Sequence, residues 1–152
     1  MAPTAEPISR QIVAAVVTRL LGIRAGALYW YQPGQVVTDA QRVNDVRDFP
    51  SYGVWATSEA PVEEDNLDVH ESLGMEIEVW VSDATDRLRA LGRACADLKV
   101  ALAVDQRWGL SATVVRTTAP SVAVTDPADI DAPFAHATMT FTVFYDRLRT
   151  AA

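Results

Sequence analysis

The sequence predicts an α+β fold in which two main helices pack on one face of a mostly antiparallel sheet. Segments 75–81 and 138–145 alternate apolar and polar residues, as strands of a sheet covered on one face do. Segments 7–21 and 88–102 instead repeat apolar residues every three or four positions, as amphipathic helices do. The length of 152 residues suits a single domain, residues 1–152.

The first predicted element is a helix from about Pro7 to Leu21, preceded by a flexible N-terminus of residues 1–6. Proline is favoured in the first turn of a helix, and Gly22 suits its end. The apolar positions of this helix cover an arc of about 200°, which is wide for a helix with a single contact. Two interpretations follow: deep burial against the sheet, or contact of part of this face with another subunit.

The segment between this helix and the first clear strand carries weaker signals. A Pro-Gly pair predicts a turn before a short strand at about 35–39, and the β-forming segment 51–58 predicts another strand. Segment 59–71 is rich in acids and has no apolar period, so we expect an exposed acidic loop that buries too little apolar surface to become ordered. A metal site there is disfavoured because the spacing matches no calcium loop.

The two clear strands each direct one apolar face toward a core. The apolar positions are Met75, Ile77, Val79 and Val81 on the first strand, and Met139, Phe141, Val143 and Tyr145 on the second. The opposite, largely polar face includes Glu76, Glu78, Thr138, Thr140 and Thr142. A further strand is predicted within 111–118, between the second helix and the last strand.

The second predicted helix starts after a cap at Ser82 or Asp83. Its apolar stripe consists of Leu88, Leu91, Cys95, Leu98 and Leu102. We expect Cys95 to be a small buried hydrophobe, because a reactive thiol needs exposure and a base, and neither histidine is near it in sequence. A catalytic thiol remains the alternative if a histidine approaches in space.

The opposite face of this helix is expected to be exposed. Arg93 and Asp97 are four residues apart, which allows a surface ion pair. Val100 and Val104 extend the same face, where a monomer would normally place polar residues.

Composition and missing motifs disfavour several functions. Twenty acids against thirteen bases give a net charge of −7, and Lys99 is the sole lysine, so DNA wrapping is disfavoured. One cysteine allows no internal disulfide, and no signal peptide or membrane span is evident. The chain lacks a glycine-rich phosphate loop, HExxH, CxxC and GxSxG, so we expect no enzyme, cofactor or metal site. His70 and His136 are interpreted as structural or surface residues.

Three segments, in this order, resemble the tail terminator or tail completion proteins of long-tailed bacteriophages and related prophages. They are ISRQIVAAVVTRLLGI, MEIEVWVSD running into RLRALGRACADLKVALAVDQRWGL, and TMTFTVFYDR. The resemblance covers about residues 8–147. Its most specific part is DLKVALAVDQRWG, where the family often has an aspartate, an alanine-leucine pair, a second aspartate and a small or glycine-containing turn.

This resemblance implies a non-enzymatic virion protein. Family members form a ring, typically a hexamer, on the head-proximal end of the tail tube, end its polymerisation and provide the joint to the neck. The implied partners are further copies of the chain, the major tail tube protein and a neck or head-completion protein, while DNA passes through without specific binding. The protein would be made in the host cytoplasm and reside in the virion, without membrane contact.

A ring of more than two subunits needs a heterologous interface, in which one patch meets a different patch of the neighbour. The candidate interface residues are Val13, Val17 and Leu21 on the first helix, and Val100, Val104, Trp108 and Leu110 on the other side. The polar sheet face would suit a DNA channel, although ordinary solvent exposure explains it equally well.

Two alternatives remain open. One is a small cytosolic ligand-binding or enzymatic domain in which Trp30, Trp55 and Trp80 line a pocket. The other is a different head-tail joining protein.

Overall fold

A computed structural model describes residues 5–38, 48–64 and 67–148 and confirms the α+β class. The elements in chain order are α1 (Ile8–Leu21), β1 (Gln35–Thr38), β2 (Ser51–Glu64), β3 (Asp68–Ser82), α2 (Arg87–Ala103), β4 (Val114–Thr117), β5 (Ser121–Val124), a short 3-10 helix (Pro127–Asp129) and β6 (Phe134–Leu148). The six strands form one mixed sheet in the order β1-β2-β3-β6-β4, and β5 also pairs with β6.

Strands β3 and β6 form the centre of the sheet. They pair antiparallel along their whole length, from Asp68 opposite Leu148 to Ser82 opposite Phe134. On the other side of β3, β2 is also antiparallel, whereas β1 is parallel to β2 and pairs only with its residues 51–54. Among the described residues, therefore, no strand pairs with the outer side of β2 beyond this short stretch.

The core lies between the sheet and the two helices. The predicted apolar faces of β3 and β6 are buried, together with Ile12, Val13, Val16 and Leu20 of α1. The stripe on α2 is confirmed at Leu91, Cys95, Leu98 and Leu102, and three alanines of the helix join it. Leu88 is the exception, because its side chain is 48% exposed.

The prediction that residues 59–71 form an exposed acidic loop is wrong. Its residues are largely the paired ends of β2 and β3, and only residues 65–66 lie outside the described part. Residues 59–64 are exposed, as the composition predicts, but their backbone pairs with β3, which β6 holds in place from the other side. An edge strand can thus be ordered without burying its own side chains.

Three smaller differences concern the second half of the chain. The cap of α2 is Asp86, while Asp83 accepts hydrogen bonds from the backbone N–H groups of Thr85 and Asp86 in the preceding turn. The strand predicted within 111–118 is only four residues long, because the chain turns at residues 110–114. Strand β5 is short and mostly exposed, and four residues are too few for their alternation to predict a strand.

Part of the predicted flexible N-terminus, residues 1–4, and the last position of the strand expected at 35–39 lie outside the described residues. Neither helix has the length and apolar character required to cross a membrane, within the described part of the chain.

Candidate subunit-contact surface

Only part of the candidate interface on α1 is accessible. Val13 is buried in the core, Val17 is partly buried against it, and Leu21 is exposed at the end of the helix. Val13 must therefore be removed from the candidate contact, since its side chain already packs within the subunit. The deep-burial interpretation of this helix accounts for most of its wide apolar arc.

Trp108 is also a core residue rather than a contact residue. Its side chain is 4% exposed, its ring stacks near Phe141, and its indole Nε1 donates a hydrogen bond to Thr117 Oγ1 at 2.8 Å. The guanidinium carbon of Arg19 lies 4.2 Å from the ring centroid. The sequence placed Trp108 at an exposed turn, but its backbone has a φ of 59°, and this left-handed conformation accompanies burial of the indole. Leu110, two residues on, is partly buried.

Asp105 organises this turn at the end of α2. Its carboxylate accepts hydrogen bonds from the backbone N–H groups of Arg107 at 2.9 Å and Gly109 at 2.8 Å. These bonds are the main reason why the pKa of Asp105 is lowered. Its backbone carbonyl accepts from Arg19 at 2.7 Å, so the turn is also tied to α1. The second aspartate and the Trp-Gly pair of the DLKVALAVDQRWG segment thus have structural roles.

Asp97, expected on the exposed face of α2, is instead 1% exposed. Its two oxygens accept hydrogen bonds from the backbone N–H groups of Trp30 at 2.8 Å and Tyr31 at 2.9 Å. The predicted pair with Arg93 is wrong, because the guanidinium of Arg93 lies 4.1 Å from the Trp30 ring instead. Asp97 therefore fixes the segment after α1 against α2.

The exposed face of α2 combines apolar and positive groups. Val100 and Val104 are exposed as predicted, and Val104 reaches 68%. Asp97 is the one acid within α2, so its burial leaves Lys99 as an exposed charge without an acid of the helix beside it, whereas Arg89 lies near Asp83 and Asp86 at the start of the helix. This composition contrasts with the net charge of −7 for the whole chain.

Two open grooves run beside α2, and Lys99 lines both. The first, of about 460 Å³, lies between α2 and β5 and is lined by Leu88, Leu91, Gly92, Cys95, Ala96, Lys99, Val122 and Val124. The second, of about 380 Å³, continues toward the end of α2 and is lined by Lys99, Leu102, Ala103, Gln106, Thr117, Thr118, Ala119 and Pro120. We call the two together the α2–β5 groove. Its lining is mostly apolar, with a single cation at the point where its two parts meet.

Cys95 lies in the wall of this groove without the environment of a nucleophile. Burial raises the pKa of its thiol, and Lys99 offsets this only in part. Neither histidine hydrogen-bonds to Cys95; they bond to Asp146 and to Thr125. The geometry therefore favours the packing interpretation.

The predicted channel-facing residues share the sheet face opposite the helices. Glu76 lies across from Thr140 and Glu78 across from Thr138, while Thr142 faces Gly74. Thr140 is exposed and the others are partly buried. The same face carries two histidine–carboxylate pairs, His70 with Asp146 and His136 with Glu78.

The His136 cluster connects three strands. His136 Nε2 lies 3.1 Å from Glu78 Oε1, its Nδ1 lies 2.7 Å from Thr125 Oγ1, and its ring packs on Trp80 at a centroid distance of 4.5 Å. Trp80 Nε1 donates to the same Glu78 oxygen at 3.1 Å. Burial lowers the pKa of His136, and the charge of Glu78 opposes that shift.

A hydroxyl, an imidazole and a carboxylate in series are also the parts of a nucleophilic site. None of the cavities described above adjoins Thr125 or His136, and the cluster's described contacts are those that connect β3, β6 and the end of β5. Sequence reasoning missed the cluster because Glu78 and His136 are neighbours only in the β3–β6 register.

The three tryptophans of the alternative pocket are separated in the structure. Trp30 packs beneath Arg93 near α2, whereas Trp55 and Trp80 lie at different positions of the outer sheet face. No tryptophan lines either part of the α2–β5 groove. Within the described residues, no three histidine, cysteine or acidic side chains converge in a manner that would hold a metal ion.

No protein-family model matches the chain, and no curated protein matches it either. The relationship to tail terminator proteins therefore stays a prediction based on the sequence resemblance.

Proposed function

We propose that this chain is a ring-forming structural protein that closes the head-proximal end of a bacteriophage tail tube. The observation that carries the proposal is the face of α2 that no described residue covers, where exposed valines and two mostly apolar grooves adjoin the subunit core. Surfaces of this kind on a small protein are typical of protein–protein contacts.

Two further features support this function. Heterologous assembly needs two unlike surfaces, and the chain has a cationic, apolar helix face and a separate acidic strand edge. The sheet face with Glu76, Glu78 and Thr140 is remote from α2, so assembly through α2 leaves it free to line a channel. Its acidic character would repel rather than bind the DNA backbone.

The proposed function is tested by electron microscopy of the purified protein, followed by its addition to polymerising tail tube subunits. We expect rings with a central hole, and tubes whose growth stops at one end when the protein is present. A chain that stays monomeric at all concentrations and leaves tube length unchanged would contradict the proposal. Tube growth without the protein is the control.

A further inference from the structure

We propose that the paired ends of β2 and β3, residues 58–64 and 68–72, together with Leu67 just before β3, dock into the α2–β5 groove of a second copy of this chain. We call these residues the β2–β3 hairpin. This inference rests on the proposed ring and identifies the two surfaces that form its contact.

The hairpin carries the negative charge that the groove lacks, together with exposed apolar groups that match the apolar walls of the groove. Glu59 and Glu63 are exposed on β2, and Val62 between them has 61% of its surface exposed. Leu67, at the start of the returning chain, is 73% exposed. Because most of the surface of these two aliphatic side chains is exposed, it is available for packing against another molecule.

The groove provides complementary chemistry. Its apolar walls come from Leu88 and Leu91 on α2 and from Val122 and Val124 on β5, and Lys99 supplies a cation at its centre. An acidic, aliphatic segment entering this groove would bury Val62 against the walls and bring a carboxylate of the hairpin toward Lys99. Such charge pairs contribute specificity, while the apolar contacts supply most of the affinity.

Backbone geometry favours the same contact. Within the described part of the sheet, no strand pairs with the outer side of β2 at residues 56–63, and none pairs with the outer side of β5. Because β5 forms one wall of the groove, a hairpin lying there would place its free edge beside the free edge of β5. Pairing of such edges is a common mode of recognition between chains.

The two surfaces cannot meet within one subunit. Strand β5 pairs with residues 137–140 of β6, whereas the hairpin lies near residues 145–148 of that strand. Eight residues of extended chain span about 26 Å, and β3 and β6 also separate the β2 strand of the hairpin from the second part of the groove, at Thr117 and Thr118. The contact is therefore heterologous, and its repetition produces either a closed ring or an open filament.

A charge exchange tests the inference in the full-length protein. We expect Glu63→Lys and Lys99→Glu each to weaken self-association by about fivefold or more, measured by sedimentation velocity. The double variant should return to within about twofold of the original protein, because the pair is restored with its signs reversed. Glu6→Lys, which makes the same charge change at the start of α1, should have no effect.

Disulfide trapping supplies the geometric test. In a Cys95→Ala background, Val62→Cys combined with Val124→Cys should form crosslinks between subunits under mild oxidation, whereas Val62→Cys combined with Leu28→Cys should not. Rings that persist in both charge variants, without crosslinks, would overturn the docking but leave the ring intact. Rescue and crosslinks in open filaments would support the docking and contradict the ring, and a protein that stays monomeric and leaves tube length unchanged would contradict both.

Discussion

Asp97 shows how a single residue can have a role opposite to the one that its sequence position indicates. Helical spacing placed it beside Arg93 on the exposed face of α2, yet its carboxylate is buried and accepts two backbone hydrogen bonds. The hydroxyl of the neighbouring Tyr52 has no hydrogen-bond partner among the described residues, and burial, with Asp97 adding to it, raises its pKa. Asp97 is therefore the polar group that holds the chain after α1 in place.

We expect Asp97→Asn to lower the free energy of unfolding by about 1.5–3 kcal/mol. An amide has one acceptor oxygen where the carboxylate has two, so one backbone N–H of Trp30 or Tyr31 would face an N–H group instead. Urea denaturation measures the difference. Asp129→Asn, the same change at an exposed position, should alter stability by much less, and equal effects of the two variants would contradict the role of Asp97.

The burial of Trp108 predicts that its substitution affects the stability of the subunit. Its ring is buried against Phe141 and its indole nitrogen donates to Thr117, so Trp108→Ala should reduce the free energy of unfolding by about 3–5 kcal/mol. Trp108→Phe should lose less, because it keeps most of the apolar volume. Thermal unfolding of the two variants provides the measurement. If Trp108→Ala retained full stability and lost only assembly, the side chain would belong to an interface after all.

At the scale of elements, the segments with a regular period were predictable from the sequence. The alternation over Met75 to Val81 and the spacing from Leu91 to Leu102 depend on local geometry, and the buried faces follow directly from them. The β2–β3 hairpin was not predictable in this way, since its order comes from pairing with a strand that β6 holds in place. Composition indicated exposure correctly but gave no information about backbone pairing.

The polar contacts of the candidate site escaped prediction for the same reason. Glu78 and His136 are separated by most of the second half of the chain, and only the β3–β6 register brings them together. The burial of Trp108 likewise depends on the turn that Asp105 organises and on the placement of Thr117. The exposure of Val100 on α2 and of Val104 at its C-cap, by contrast, follows from their helical spacing.

The His136 cluster should make the contact between β3 and β6 sensitive to pH. Burial lowers the pKa of His136 below its ordinary value of 6.5, although Glu78 and then Glu76 oppose the shift. The unfolded chain therefore takes up this proton at a higher pH than the folded chain does, so this contribution is present above pH 6.5 and is lost as the pH falls below that value.

We expect the protein to lose more stability between about pH 7.5 and 5.5 than its His136→Gln variant does. Chemical denaturation at several pH values measures the two slopes. The glutamine of the variant can still form hydrogen bonds but does not titrate. The two proteins are therefore compared by how steeply their stability changes with pH, rather than by their stability at one pH. Identical slopes would show that His136 takes up its proton equally in the folded and unfolded states.

At the scale of the whole molecule, charge is distributed unevenly between two surfaces. The chain is acidic overall, yet the one acid of α2 is buried and its exposed charges are positive, while exposed acids lie along β2. Opposite charges on remote surfaces of one chain favour head-to-tail contacts between copies and disfavour contacts between like surfaces. This uneven charge distribution arises only when the subunit folds, because it depends on the burial of Asp97.

The same asymmetry predicts the outcome of a substitution on α2. Val104→Asp should prevent or strongly weaken ring formation. It should change the free energy of unfolding of the subunit by no more than about 0.5 kcal/mol, because the side chain is 68% exposed and packs against little of its own subunit. Light scattering and electron microscopy measure assembly, and urea denaturation measures the fold. Val115→Asp introduces the same charge at an exposed valine of β4, away from the exposed face of α2, and it should leave assembly intact. If Val104→Asp still forms full rings, the end of α2 is not part of the contact. If both variants lose their rings, the added charge disrupts assembly regardless of its position.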